Sequence, residues 1–227
     1  MKQAVFIGDC DKTDLLFYVC KLLGMQHDVL LADFTRQGRY RHAYPNVEMD
    51  KKVQQYDNFD VAESLGGAAE LEELIAAAAY EYVIIDADDP DKLGNFVSSD
   101  MFYLVTTYEN PVMQGNGALL EAMLRNIPEE RLPLHMTKVI REPGGNLTED
   151  YLTRLYDHLP IHWNESLIYM PEDRDLSRKI QNQFSSTVKL KKISPEFKLA
   201  IKGIVESISG WEGTQVNLLW KKAERSK

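Results

Sequence analysis

Polar and charged residues follow three separate apolar runs of this chain, and their types could do chemistry. They lie in the segments 8–13 (Gly-Asp-Cys-Asp-Lys-Thr), 33–38 (Asp-Phe-Thr-Arg-Gln-Gly) and 86–90 (Asp-Ala-Asp-Asp-Pro). A lysine and a threonine at the start of a helix suit the binding of an anion. Aspartates in neighbouring loops suit either a cation or the capping of the next segment. The residue types alone leave both options open: a ligand site or ordinary strand-to-helix turns.

The elements that must position these segments form a regular alternation. Short apolar runs indicate strands at 4–7, 29–32, 82–85, 102–106, 135–140 and 167–170. Helical patterns occur between or after them at 15–23, 68–79, 118–125, 149–158, 173–184 and 195–208, and a polar excursion covers 35–60. Continuous apolar strands are typical of a parallel sheet with helices on both faces. We therefore predict a doubly wound, mostly parallel α/β fold, with one domain at 1–210 and a basic C-terminal tail at 211–227.

Composition narrows the classes of partner. The chain has 227 residues, 44 % of them hydrophobic, and a formal net charge of −9. This charge argues against nonspecific nucleic-acid binding, because phosphates are repelled at long range. The two cysteines, Cys10 and Cys20, form neither a disulfide framework nor a metal-ligand pattern. With no signal-peptide core and no run of 18 apolar residues, we expect a cytoplasmic protein, at most peripheral to a membrane.

The segment 8–13 and its spacing resemble the first loop of the MinD/ParA family of P-loop ATPases. That loop reads Lys-Gly-Gly-x-Gly-Lys-Thr, a variant of the phosphate-binding pattern. Aligned on Lys12 and Thr13, this chain keeps one glycine, Gly8, with the lysine and the threonine. The resemblance implies a P-loop NTPase fold whose open parallel sheet holds nucleotide beyond the carboxyl ends of its strands.

Further segments match the family in the same order. Asp33 corresponds to the aspartate that orients water, and Asp86 ends a strand similar to the Walker B strand. Ser99-Asp100 and the turn at 170–173 (Met-Pro-Glu-Asp) resemble later family motifs, so the likeness spans residues 3–208. In a working member the resemblance would make Thr13 and Asp86 the Mg²⁺-side residues.

The chain departs from the family where nucleotide would bind. Asp9 and Asp11 stand at two glycine positions of the loop. A like-charge contact at about 4 Å costs about 4 kcal/mol at an effective dielectric of 20, which is about a thousandfold in affinity. The family's early lysine falls at Ile7, and the glycine that contacts the terminal phosphate is replaced by Pro90, which has no N–H. The segment 136–138 (Met-Thr-Lys) lacks the adenine-reading asparagine.

These departures lead to the main functional hypothesis. We expect a pseudo-ATPase that acts as a scaffold or localisation factor of a larger assembly, such as a secretion, pilus or division apparatus. We expect no cofactor and no metal, and protein partners that include a homodimer across the strand-end face. Residues 8, 9, 11, 12, 13, 86 and 90 would form the remnant of the nucleotide site. The first alternative is a weak but genuine ATPase that binds Mg-ATP.

The C-terminal tail provides the second alternative. Leu218, Leu219 and Trp220 are apolar, and Lys221 and Lys222 that follow are cationic. Such a segment is similar to the short amphipathic helix with which MinD-like proteins bind a membrane surface. The same residues also suit a last core helix with a polar end, and the sequence leaves both readings open.

Overall fold

One mixed sheet forms the centre of the computed structural model, which describes residues 1–45, 51–63, 65–142 and 145–225. Its strands are β1 (Lys2–Ile7), β2 (Val29–Phe34), β3 (Val53–Tyr56), β4 (Phe59–Ala62), β5 (Tyr82–Ala87), β6 (Met101–Thr107), β7 (Leu134–Arg141), β8 (Ile161–Trp163) and β9 (Leu167–Tyr169). The order across the sheet is β3-β4-β2-β5-β1-β6-β7-β8, and β9 also pairs with β7. Only the β3–β4 pair is antiparallel within this part of the chain. This confirms the predicted doubly wound, mostly parallel fold.

Helices cover both faces of the sheet. They are α1 (Thr13–Leu23), α2 (Ala68–Ala77), α3 (Pro90–Leu93), α4 (Asn110–Leu124), α5 (Glu149–Leu155), α6 (Asp173–Asn182), α7 (Pro195–Ser209) and α8 (Gly213–Ala223). The central strand β1 is buried on both sides, since Phe6 packs into the core under α1, α7 and α8, and Val5 packs into the core under α2 to α5. A strand with two buried faces needs a continuous apolar run, and this explains why the pattern was readable in the sequence.

Most of the expected elements are present, with small shifts at their ends. The structure adds a short hairpin, β3 and β4, within the polar excursion predicted for 35–60; residues 46–50 of that excursion lie outside the described residues. The sequence does not predict it because β3 (Val-Gln-Gln-Tyr) carries two glutamines and has only one buried residue. Strand β4 pairs in parallel with β2, so the hairpin extends the sheet at its edge.

The C-terminal segment is not a separate tail. Helix α8 packs on α1 and α7, and the side chains of Val216 and Trp220 are fully buried in the core. Helix α8 thus packs with the α/β domain, although the sequence analysis places its residues beyond a division at residue 210. Within the described residues, no helix is both long and apolar enough to cross a membrane.

Candidate functional site at the carboxyl ends of the strands

The predicted site residues do meet at one edge of the sheet. Strands β1, β2 and β5 are parallel neighbours, with Asp33 of β2 directly opposite Asp86 of β5. Residues 8–13 connect β1 to α1 at the same edge. The parallel register thus brings together the three segments that the sequence singles out.

Lys12 does not point into an open loop. Its ammonium lies 2.9 Å from Asp86 Oδ1, and both side chains are completely buried. Lys12 also donates hydrogen bonds to the carbonyl oxygens of Gly8, at 2.6 Å, and Cys10, at 3.2 Å. A lysine held in this way has no donor left for an incoming phosphate unless the pair with Asp86 breaks.

Burial and charge together set the ionisation of this pair. Burial raises the pKa of Asp86 to about 6, although the ammonium of Lys12 and the hydroxyl of Tyr40 act against it. Burial alone would lower the pKa of Lys12, but attraction to Asp86 outweighs it and raises that pKa above its ordinary value. Both groups are therefore charged at neutral pH. The hydroxyl of Tyr40 completes the cluster with a hydrogen bond of 2.8 Å to Asp86 Oδ2.

Asp11 satisfies the start of α1 with its own carboxylate. Asp11 Oδ1 accepts hydrogen bonds from the backbone N–H of Thr13, at 2.9 Å, and from its hydroxyl, at 2.8 Å. An N–H at a helix start is where a phosphate loop holds an anion. Thr13, expected as the vestigial Mg²⁺ ligand, is instead buried and bonded to Asp11. The Asp11 carboxylate thus already engages the first backbone N–H of α1.

Lys179 neutralises Asp11 from a distant element. Its ammonium, on α6, lies 2.5 Å from Asp11 Oδ2. Burial would raise the pKa of Asp11, but Lys179 and the bonds from Thr13 prevail and hold it below its ordinary range. Arg141, at the end of β7, donates to the carbonyl oxygen of Asp11 at 2.6 Å. The loop is therefore held from two sides by cationic side chains.

The remaining loop positions are also committed. The backbone N–H of Asp9 donates to Oδ1 of the fully buried Asn116 on α4, at 2.7 Å. Gly8 is confined by the sheet, since a Cβ there would lie 2.2 Å from the carbonyl oxygen of Val105. A side chain at residue 8 is thus excluded by sterics, so this glycine does not by itself indicate a phosphate site.

Asp33 and the segment after β5 are used in turns. Asp33 Oδ1 accepts from the N–H and the hydroxyl of Thr35, at 2.9 and 2.6 Å. Pro90 is the first residue of the short helix α3. The side chain of its N-cap, Asp89, accepts a hydrogen bond from the backbone N–H of Asp91. Asp88 is paired with Arg39 at 3.0 Å. The capping role left open for Asp33 is thus observed, whereas Asp86 serves the ion pair with Lys12.

Each of three acidic residues at the strand ends therefore has its own cation: Asp86 with Lys12, Asp11 with Lys179, and Asp88 with Arg39. Sequence reasoning missed these partners, except Lys12, because they come from distant parts of the chain. It also missed Tyr40 and Asn116; the one available signal was the lone asparagine between Gly115 and Gly117 in a helix. In this arrangement the side chains do not fit a Mg-triphosphate. Lys12 is already bound to Asp86, and the first backbone N–H of α1 is already bound to Asp11.

The predicted membrane residues are split between the core and the surface. Trp220 is fully buried and Leu219 is 6 % exposed, whereas Leu218 is 68 % exposed. The indole N–H of Trp220 donates to Glu224 at 2.7 Å, and Lys198 lies 4.7 Å from its ring centroid. In this fold the apolar surface of Leu219 and Trp220, which the sequence analysis offers to a membrane, packs against the protein. Lys221 and Lys222 are exposed.

Comparison with known proteins identifies the fold. No protein-family model matches the sequence, and no curated protein matches it. MinD in the MinC:MinD complex of Aquifex aeolicus has a TM-score of 0.62 and 11 % identity, covering 93 % of this chain and 97 % of that one. A ParA-family ATPase of Chlorobium tepidum has a TM-score of 0.58 and 16 % identity, covering 96 % of this chain and 98 % of that one. Apo McdA of Cyanthece has a TM-score of 0.56 and 14 % identity, covering 96 % of this chain and 99 % of that one.

Proposed function

From its MinD/ParA-like P-loop fold, we propose that this chain is a pseudo-ATPase that acts as a scaffold or regulatory factor by binding protein partners. One observation carries the proposal: the lysine expected to bind phosphate is buried in an ion pair with Asp86. In this proposal the fold provides rigid surfaces for partners, and the residues at the expected nucleotide site stabilise the domain through contacts with one another.

Freeing Lys12 for a phosphate would be costly. Withdrawing one partner of a buried ion pair leaves an uncompensated charge, which costs about 3–5 kcal/mol. This corresponds to a loss of about 10²- to 5 × 10³-fold in affinity for any nucleotide that needs the lysine. The hydrogen bond from Tyr40 satisfies only one oxygen of Asp86 and does not replace the positive charge.

The charge balance acts in the same direction. Asp11 and Asp88 already hold the cations Lys179 and Arg39, so a triphosphate would compete with these carboxylates for their partners. Displaced carboxylates would then repel the triphosphate at close range. Mg²⁺ would need oxygen ligands, yet Asp33 and Asp86 are both engaged by protein donors.

Protein partners are supported by fold analogy and by charge. A neighbour of the same fold, MinD of Aquifex aeolicus, is known in complex with MinC. The pairing of Asp11 and Asp88 also lowers the self-repulsion that a homodimer across the strand-end face would otherwise experience. The kind of assembly, whether a secretion, pilus or division apparatus, is proposed from the family resemblance alone.

A weak ATPase switch is the second candidate. The observation in its favour is that Lys12, Thr13 and Asp86 are all retained at the correct strand ends. If the loop opened, these three residues would stand where the resemblance places phosphate clamping and Mg²⁺ binding. The membrane-associated alternative would require α8 to leave the core, and no observation favours that.

Hydrolysis and nucleotide-dependent association test the proposal together. We expect no phosphate release from Mg-ATP above that of the Lys12→Ala variant, and the same molar mass by light scattering with and without Mg-ATP. A turnover that disappears in Lys12→Ala, or a dimer that forms only with Mg-ATP, would instead identify the protein as an ATPase switch.

A further inference from the structure

Helix α6 has its polar face inside and its apolar face outside. Its buried residues are Asp175 and Asn182. Its large apolar residues are exposed: Leu176 by 59 % and Ile180 by 48 %, with Phe184 just beyond the helix at 82 %. An ordinary surface helix packs in the opposite sense, with its apolar stripe on the core. The exposure of these apolar side chains does not stabilise the folded chain, so we look for a partner that would cover them.

Specific polar contacts hold α6 in this orientation. Asp175 accepts from the N–H of Ser194 at 2.7 Å, and Asn182 bonds both the N–H and the carbonyl of Lys189. On the side toward the first loop, Lys179 pairs with Asp11. Polar contacts therefore fix the helix to the domain, while about half or more of each large apolar side chain remains exposed.

The apolar residues form a single ridge. Leu176 and Ile180 are spaced by four residues, so they align along one side of the helix, and Phe184 follows in the turn just after it. Ridges of this spacing are the ones that fit into the groove of a second helix. Contiguous exposed apolar groups on a folded protein mark interaction sites more often than chance exposure.

One flank of this ridge is cationic. Arg174, Arg178 and Lys192 line a cleft of about 230 Å³ beside it, together with Ser177 and Gln181 of α6. Lys191 lies next along the chain and is exposed. Glu172 neutralises Arg174 and Asp173 adds an exposed carboxylate, so the excess of positive charge comes from Arg178, Lys191 and Lys192. On a chain of net charge −9, this local excess of positive charge favours an acidic partner.

We propose that the ridge and its cationic flank form a docking surface for an acidic amphipathic helix of a protein partner. This proposal rests on the proposed function in that it specifies the class of partner. Apolar residues of the partner would cover Leu176, Ile180 and Phe184, and its carboxylates would face the cleft. A nucleic acid would leave the apolar ridge in water. A lipid-binding helix is rich in Lys and Arg over its polar face, whereas here the polar face is buried on Asp175 and Asn182 and its Lys179 is paired with Asp11.

The test uses three probes on the full chain. The first is a displayed library of helical peptides with randomised apolar and charged positions; the others are vesicles of phosphatidylcholine and phosphatidylglycerol, and duplex DNA. We expect selected peptides to carry Glu or Asp beside a row of apolar residues. Their affinity should fall about tenfold to hundredfold in Ile180→Glu and remain unchanged in Leu199→Glu, at an exposed leucine on α7.

Charge reversal separates the two parts of the surface. The double variant Lys191→Glu and Lys192→Glu should weaken the peptides and reduce their salt dependence, while Lys221→Glu with Lys222→Glu, of equal net charge, should not. Equal thermal unfolding of all variants shows that the fold is intact. The proposal would be overturned if the library yielded no binders, or if the selected peptides bound Ile180→Glu as tightly as wild type. Binding of vesicles or DNA that depends on Ile180 and Lys192 would also overturn it. None of these results depends on nucleotide, so the pseudo-ATPase proposal is judged separately by Mg-ATP.

Discussion

The ammonium of Lys12 lies 2.9 Å from the carboxylate of Asp86, and neither side chain is exposed to solvent. In a phosphate loop, the lysine is held ready for the ligand. Here the same residue links the loop after β1 to the end of β5, and we propose that its role is structural.

Lys12→Met should destabilise the fold strongly. The substitution keeps the length of the side chain but leaves Asp86 with only the Tyr40 hydroxyl as partner, so its carboxyl must either stay charged without a cation or take up a proton. We expect a loss of about 3–5 kcal/mol in the free energy of unfolding, measured with urea at neutral pH. Lys221→Met, at an exposed position, is the control and should change it by less than about 0.5 kcal/mol. Equal stability of the two variants would argue against a structural pair.

The defect of Lys12→Met should become smaller in acid. Burial already raises the pKa of Asp86 to about 6, and removal of Lys12 takes away an influence that lowers it. A carboxyl whose pKa is higher in the folded state than in the unfolded state contributes stability at low pH and loses it as pH rises through the folded pKa. Urea curves at pH 7 and pH 5 should therefore show a smaller difference between variant and wild type at pH 5. A difference that is constant or larger at pH 5 would contradict this assignment.

Asp11→Asn isolates the charge that Lys179 neutralises. The amide oxygen can still accept from Thr13, so only the ion pair is lost. Because the pKa of Asp11 is lowered in the folded state, its stabilisation is present above the unfolded pKa of about 3.9 and is lost as pH falls through the folded pKa. The variant should be less stable at pH 7, by about 1 kcal/mol or less since Asp11 is partly exposed.

The pH series provides the check on this pair. Wild type and Asp11→Asn should converge in stability at the acid end of the range, where the carboxylate of wild type is progressively protonated. Asp173→Asn, at an exposed position on α6, serves as the matched control and should show no such convergence. A wild-type advantage that grows in acid would mean that the carboxylate is not stabilised by Lys179.

Trp220→Ala should show that α8 is part of the core. The side chain is fully buried, so its truncation should lower the free energy of unfolding by about 3–5 kcal/mol. Leu218→Ala, on the same helix but 68 % exposed, should leave stability nearly unchanged. Urea denaturation measures both. If Trp220→Ala were neutral for stability and instead removed co-sedimentation with anionic vesicles, α8 would be the membrane helix that the sequence analysis kept as an alternative.

The strands of the centre of the sheet were predictable because their physics is local. Strands β1, β2 and β5 are buried on both faces, so each is a continuous apolar run that needs no context to be recognised. The hairpin of β3 and β4 was not predictable in this way, since Gln54 and Gln55 give no strand pattern. The same limit applies to α6, where the apolar spacing predicts a helix but the polar contacts of Asp175 decide which face is buried.

The location of the site was predictable from the sequence, but the ion pairs within it were not. Parallel register brings Gly8, Asp33 and Asp86 to one edge, and this follows from the order of the motifs alone. The partners Lys179 and Arg39 come from elements whose positions depend on the whole fold, so no local pattern links them to Asp11 and Asp88. Sequence reasoning therefore counted the carboxylates as unpaired charges, whereas the fold pairs each of these two with a cation.

Calorimetric titration of Mg-ATP into the purified chain, with ADP and the Lys12→Ala variant alongside, tests the central claim most directly. The account predicts no binding heat up to millimolar nucleotide, because Lys12 is held by Asp86 and the start of α1 by Asp11. Binding tighter than about 10 μM, or about −7 kcal/mol, that is lost in Lys12→Ala would contradict it and identify a working phosphate loop.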